Sequence, residues 1–155
     1  MGYRLKKTIL YPFPLCLFFL LLFSYIVRIQ VLEIGEGGKP IRVRNRDIVT
    51  LQYTHSMYGV TVKERLIVDE GRLILYHVDT NDAALEYFGI EGKEKDNVRV
   101  DIKEIGIPKD SIGNHILYLR DKALKISQYN DLQGIIRIRL KKIPLIVFLI
   151  FYVWR

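Results

Sequence analysis

The sequence predicts a mainly β fold, an antiparallel β-sandwich or partly closed barrel with one short helix, plus an N-terminal transmembrane helix and a short C-terminal apolar helix. Three observations carry this reading. From Ile48 onward, apolar residues recur at every second position, the period of a half-buried strand. Residues 8 to 27 and 143 to 154 contain no charged side chain. The stretch between them is polar yet rich in Ile, Val, Leu, Tyr and Thr, which suit a pleated sheet surface.

Taken in order, residues 1–7 form a basic tail with Arg4, Lys6 and Lys7. Residues 8–27 meet the length of about 20 apolar residues that a spanning helix needs. Pro12 and Pro14 fall in its first turns, where a helix tolerates proline, so the segment reads as an uncleaved anchor. Cys16 precedes most of the apolar run, the wrong place for a lipid-bearing cysteine. Three cations before the run and only Arg28 close behind it place the N-terminus in the cytoplasm and the following domain on the outer face of the cell membrane. Residues 28–46, with Gly35, Gly37, Gly38 and Pro40, form a connector with room for an extra strand at Gln30 to Ile34.

Residues 47–140 form the β domain. Asp47 to Ser56, Val60 to Val68 and Arg72 to Val78 read as three consecutive antiparallel strands, the last two joined by a two-residue turn at Glu70-Gly71. Thr80 or Asn81 caps a short helix through Ala83, Ala84, Leu85 and Phe88, and Gly89 ends it. Asn97 to Ile105, His115 to Leu119, Leu124 to Tyr129 and Ile135 to Leu140 give four further strands. Residues 143–154 form a short segment that contacts the membrane. As a helix it reaches only ~18 Å against a ~30 Å hydrocarbon core, which leaves open a thinned span or partial insertion. Tyr152 and Trp154 suit the membrane interface.

Charge excludes the obvious reading of a pI near 9.5. Residues 28 to 136 hold 16 Lys plus Arg against 17 Asp plus Glu, a net of −1, so the excess of the whole chain, +7, lies at its ends. A nucleic-acid surface needs that excess on the folded domain. One cysteine excludes an intramolecular disulfide. No phosphate loop, G-x-S-x-G, H-E-x-x-H or dinucleotide fingerprint occurs.

The alternation breaks at two polar residues. His55 continues the face of Val49, Leu51 and Tyr53, and Glu64 interrupts that of Val60, Val62, Leu66 and Val68. A loop at Met57 to Val60 would pair Tyr53 with Glu64 and His55 with Val62, and the Glu70-Gly71 turn would pair Glu64 with His77. One face would then carry His55, Glu64 and His77 together, with His115 opening a later strand. These four are ligand types of a catalytic zinc site. The plainer reading is a buried carboxylate that takes its hydrogen-bond donors from imidazoles on neighbouring strands. On that reading, Glu64→Gln costs about 1–3 kcal/mol. Ser56 points away from His55 and is not activated by it.

The run Tyr53-Thr54-His55-Ser56-Met57, followed by Val60-Thr61-Val62-Lys63-Glu64, resembles the Y-T-H-S-V and P-V-x-E signature of the family named domain of unknown function 1850. Asn114-His115-Ile116-Leu117 and the closing Gly134 to Leu140 strand are similar to its second half, so the resemblance covers about residues 45 to 140. Thr61 stands where that signature has proline. The resemblance implies a small extracytoplasmic β domain, often associated with tripartite ATP-independent periplasmic transporters of the TAXI type, with His55, Ser56 and Glu64 as the positions carried over.

The expected protein is therefore a membrane-anchored, non-catalytic accessory or binding module linked to solute transport. It needs no cofactor and binds no nucleic acid. Its partners would be the lipid bilayer and a transporter membrane subunit or solute receptor, and its polar cluster would be His55, Ser56, Glu64 and His77. Two alternatives stand beside it: a metal-dependent hydrolase built on the His/Glu cluster, and a structural envelope protein without a ligand.

Overall fold

A computed structural model describes residues 12–87, 89, 98–111, 113–129 and 134–153. The expected basic tail 1–7, residues 8–11 of the anchor, Phe88, Asn97 and Trp154 lie outside them. The described residues divide into two units, residues 30–141 and the two chain ends at 12–29 and 142–153.

The larger unit is mainly β, with two antiparallel sheets. One has the order β2-β1-β10-β7 and the other β6-β5-β4-β3-β8-β9. The strands are β1 (Arg28–Ile34), β2 (Ile41–Arg42), β3 (Ile48–Thr54), β4 (Thr61–Asp69), β5 (Arg72–Asp79), β6 (Val100–Ile102), β7 (Glu104–Pro108), β8 (Ile116–Leu119), β9 (Lys122–Lys125) and β10 (Ile135–Pro144). Leu32, Ile34, Ile107, Ile136 and Ile138 of the first sheet share one core with Val49, Leu51, Leu66, Val68, Leu73, Leu117 and Leu119 of the second. Alternation places these residues on the two inner faces, an arrangement compatible with a β-sandwich.

The Glu70-Gly71 turn forms as the sequence predicts, with φ 46° and 89°. Both residues are left-handed, as a two-residue turn matching the twist of its strands requires. The helix α2 (Asp82–Tyr87) begins at Asn81, whose Oδ1 accepts the Ala84 N–H at 2.9 Å. This cap holds Ala84 and Leu85 in the buried interior. Asn81→Ala is expected to cost about 1 kcal/mol, and an unchanged denaturant midpoint would show that packing alone fixes the helix.

The strand expected in the connector at Gln30 to Ile34 forms as β1, which pairs with both β2 and β10 in the first sheet. The structure departs from expectation in three places. The single strand expected at 97–105 is two: β6 pairs with β5 and β7 with β10, so the chain changes sheets at Lys103. The strand expected at 124–129 is β9 followed by a 3-10 turn, Ile126–Gln128, which buries Ile126. The last strand continues to Pro144. Lys141 is held there by Glu33 at 2.6 Å, and Glu33 also meets Arg139 at 3.7 Å.

The smaller unit contains α1 (Pro12–Ile26) and α3 (Leu145–Val153), which pack against each other. The Leu145 N–H donates to the Val27 carbonyl at 2.8 Å. Among the described residues, no helix is long and apolar enough to cross a membrane.

Candidate functional site

The sequence's polar break does organise a site, with different members from those expected. β3 and β4 pair Tyr53 with Val62 and Leu51 with Glu64, two residues away from the expected register. The cause is the loop. The His55 N–H donates to the Val60 carbonyl and the Gly59 N–H to the His55 carbonyl, both at 2.8 Å, and Gly59 takes the left-handed position, φ 63°. A shift of two preserves every face but lengthens the separation of His55 from Glu64.

His77 leaves the cluster for a different reason. The pairs Val68 with Leu73 and Leu66 with Leu75 form as expected, but a bulge follows and pairs Arg65 with His77 and Glu64 with Val78. Tyr76 is the extra residue. One inserted residue reverses the faces beyond it, so Val78 turns inward and His77 turns outward.

Tyr53 takes the place expected of the imidazoles. Its hydroxyl donates to Glu64 Oε1 at 2.8 Å. Burial raises the Glu64 carboxyl above its usual range, and the hydrogen bond from Tyr53 only partly offsets this. Burial also raises the Tyr53 hydroxyl, and the neighbouring Glu64 charge raises it further. On its other side Tyr53 meets His115, the residue just before β8. The rings stack with centroids 5.0 Å apart and planes at 17°. Burial lowers the His115 imidazole, favouring its neutral form.

Gly113 makes this stack possible. A Cβ there would lie 2.8 Å from His115 Cε1 and 3.0 Å from the Thr54 carbonyl oxygen. The same glycine's carbonyl accepts the Thr54 N–H at 2.7 Å, tying the loop before β8 to the end of β3. His55 sits beyond, against Tyr58 at 5.2 Å and Tyr87 at 5.1 Å between ring centroids.

These elements enclose a cleft of about 300 Å³ lined by Tyr53, His55, Ser56, Asp110, Ser111 and His115, among others. Its lining mixes two imidazoles, four hydroxyl-bearing side chains and one carboxylate, the composition of a site for a small polar ligand. Glu64 supports the cleft from below through Tyr53 and does not line it. Among the described residues, no group of three or more His, Cys, Asp or Glu side chains is placed to hold a metal ion. His55, Glu64, His77 and His115 therefore do not make up the zinc-type set that the sequence raised.

Tyr53, Asp110, Ser111 and Gly113 are the members that sequence reasoning missed. Tyr53 was legible as a core position, and the expected register set it directly opposite Glu64, so its hydroxyl was the available signal. Asp110, Ser111 and Gly113 read only as turn residues, so nothing in their composition shows that they line a cleft with the end of β3. No family model, curated protein or solved structure matches the chain.

Proposed function

We propose that the chain is a membrane-anchored module whose β unit lies on the outer face of the cell membrane and serves solute transport by binding, using the cleft at the end of β3. The anchoring rests on one observation. α1 exposes its large apolar side chains all round, from Phe13 at 76% to Ile26 at 65%, and α3 has no buried residue. Helices apolar on every side find their partner in lipid. The fifteen residues of α1 reach about 22 Å, and the charge-free sequence continues back to Thr8. The nine residues of α3 reach about 13 Å, enough to enter one leaflet beside α1.

Two of the cleft's polar groups support a reading of binding rather than catalysis. The Tyr53 hydroxyl is committed to Glu64, and His115 is stacked and desolvated. The link to transport rests on the resemblance of residues 53–64, 114–117 and 134–140 to the extracytoplasmic family named above.

The full chain, expressed in cells and extracted with alkaline carbonate, is expected to stay in the membrane pellet. Release into the supernatant would refute the anchor. Cross-linking in intact membranes is expected to capture a transporter membrane subunit or solute receptor, and repeated recovery without either would refute the transport role.

A further inference from the structure

The outer face of the six-stranded sheet carries concavities separate from the cleft. Tyr76, the extra residue of the bulge that removes His77 from the interior, lies on this outer face, where it helps to line two neighbouring depressions. One, of about 420 Å³, is lined by Ile48, Thr50, Gln52, Lys63, Arg65, Tyr76 and Tyr118. The registers fix its plan. Thr50 lies between Tyr118 and Arg65 in one cross-strand row, and Gln52 faces Lys63 in the next. Short polar side chains on β3 therefore form a floor between a tyrosine wall on β8 and a cationic wall on β4, with Tyr76 beyond.

The charge of this groove is one-sided. Lys63 and Arg65 line it with no carboxylate, and neither is ion-paired among the described residues. Asp79 stands opposite Lys63 in register but is exposed and is not part of the lining. Glu64, between the two cations, points to the opposite face. The neighbouring depression, of about 410 Å³, differs in this respect, because Arg99 there meets Asp69 at 3.9 Å. On the Lys63 side of Tyr76, by contrast, no carboxylate in the lining offsets the two cations.

We propose that this groove binds a small organic anion with a flat body, its charged groups held by Lys63 and Arg65 and its body laid against Tyr76 and Tyr118. Residues two apart on a strand stand about 6.6–6.8 Å apart on one face, a spacing that two carboxylates on a planar ring can match. Arg65 supplies a planar fork of donors for one of them, and Lys63 a compact charge for the other. The volume falls within the range of small-molecule sites. The two tyrosines offer ring faces at little cost in side-chain freedom.

The test uses the ¹⁵N-labelled full chain in zwitterionic detergent micelles, titrated with benzene-1,4-dicarboxylate and, separately, with its neutral diamide. The dicarboxylate is expected to shift amide signals around Thr50, Gln52, Lys63, Arg65, Tyr76 and Tyr118, more weakly as salt rises. Lys63→Gln with Arg65→Gln is expected to weaken binding at least about tenfold, and Lys63→Arg to stay within about threefold. Tyr118→Leu provides a second variant that keeps both charges, and it too is expected to weaken binding. Absence of shifts at these residues up to about 10 mM ligand would overturn the proposal. So would equal binding of the diamide, or unaltered affinity in the folded double variant.

Discussion

Replacing Tyr53 with alanine is expected to destabilise the β unit by about 3–5 kcal/mol. The side chain belongs to both apolar clusters. It packs against the main core formed by the two sheets and against the smaller cluster of Val62, Val78 and Leu85. Its removal therefore opens a cavity where two packed regions meet, releases the His115 ring and leaves Glu64 without its donor. The conservative change separates these roles. Tyr53→Phe keeps the ring and the stack, deletes one hydroxyl, and is expected to cost about 1–3 kcal/mol because a buried carboxyl loses its partner. Denaturant unfolding of the full chain, followed by circular dichroism, measures both. A loss below about 1 kcal/mol for the alanine variant would show that the clusters close around the gap. Equal losses for both variants would assign the whole effect to the hydroxyl.

Tyr53 also shows where the sequence was legible. Alternation correctly put Val49, Leu51 and Tyr53 on one face, and both Val49 and Leu51 are buried. The Glu70-Gly71 turn and the Asn81 cap were readable because each depends on a few adjacent residues. The polar cluster depended on registers, which are set by loop closure and bulges at some distance from the residues they place. Gly59 fixed one register by taking the left-handed corner of its loop, and the extra residue Tyr76 overrode the other. Neither signal is periodic. Alternation continued through a bulge predicts the wrong face for every residue beyond it, and His77 is the result. The two chain changes at Lys103 and Ile126 were lost for a similar reason. A strand that crosses to another sheet and a strand that ends in a 3-10 turn leave the same apolar spacing in sequence as one that continues.

The corrected neighbour changes what Glu64 does to stability. With imidazolium partners, Glu64→Gln would break an ion pair. With the Tyr53 hydroxyl as donor, glutamine still offers an acceptor oxygen and removes only the ionisation. Burial raises the Glu64 carboxyl above its ordinary 4.5, so the folded state keeps this proton to higher pH than the unfolded chain does. The folded state binds the extra proton between 4.5 and that raised value, so Glu64's contribution is full below the window and declines as pH rises through it. The decline is about 1.4 kcal/mol for each unit of displacement. His115 acts in the opposite sense. Its lowered imidazole contributes stability above its ordinary 6.5, and that contribution is lost as pH falls. A wild-type profile therefore mixes two opposed slopes. Subtracting it from the profile of Glu64→Gln cancels His115 and leaves Glu64 alone. The variant's stability relative to wild type is expected to increase with pH from about 4.5 upward and to level off once Glu64 has ionised in the folded state. A difference that stays constant across that range would mean that Glu64 ionises as freely in the folded protein as in the unfolded chain. The Tyr53 hydrogen bond would then be holding a carboxylate rather than a neutral acid.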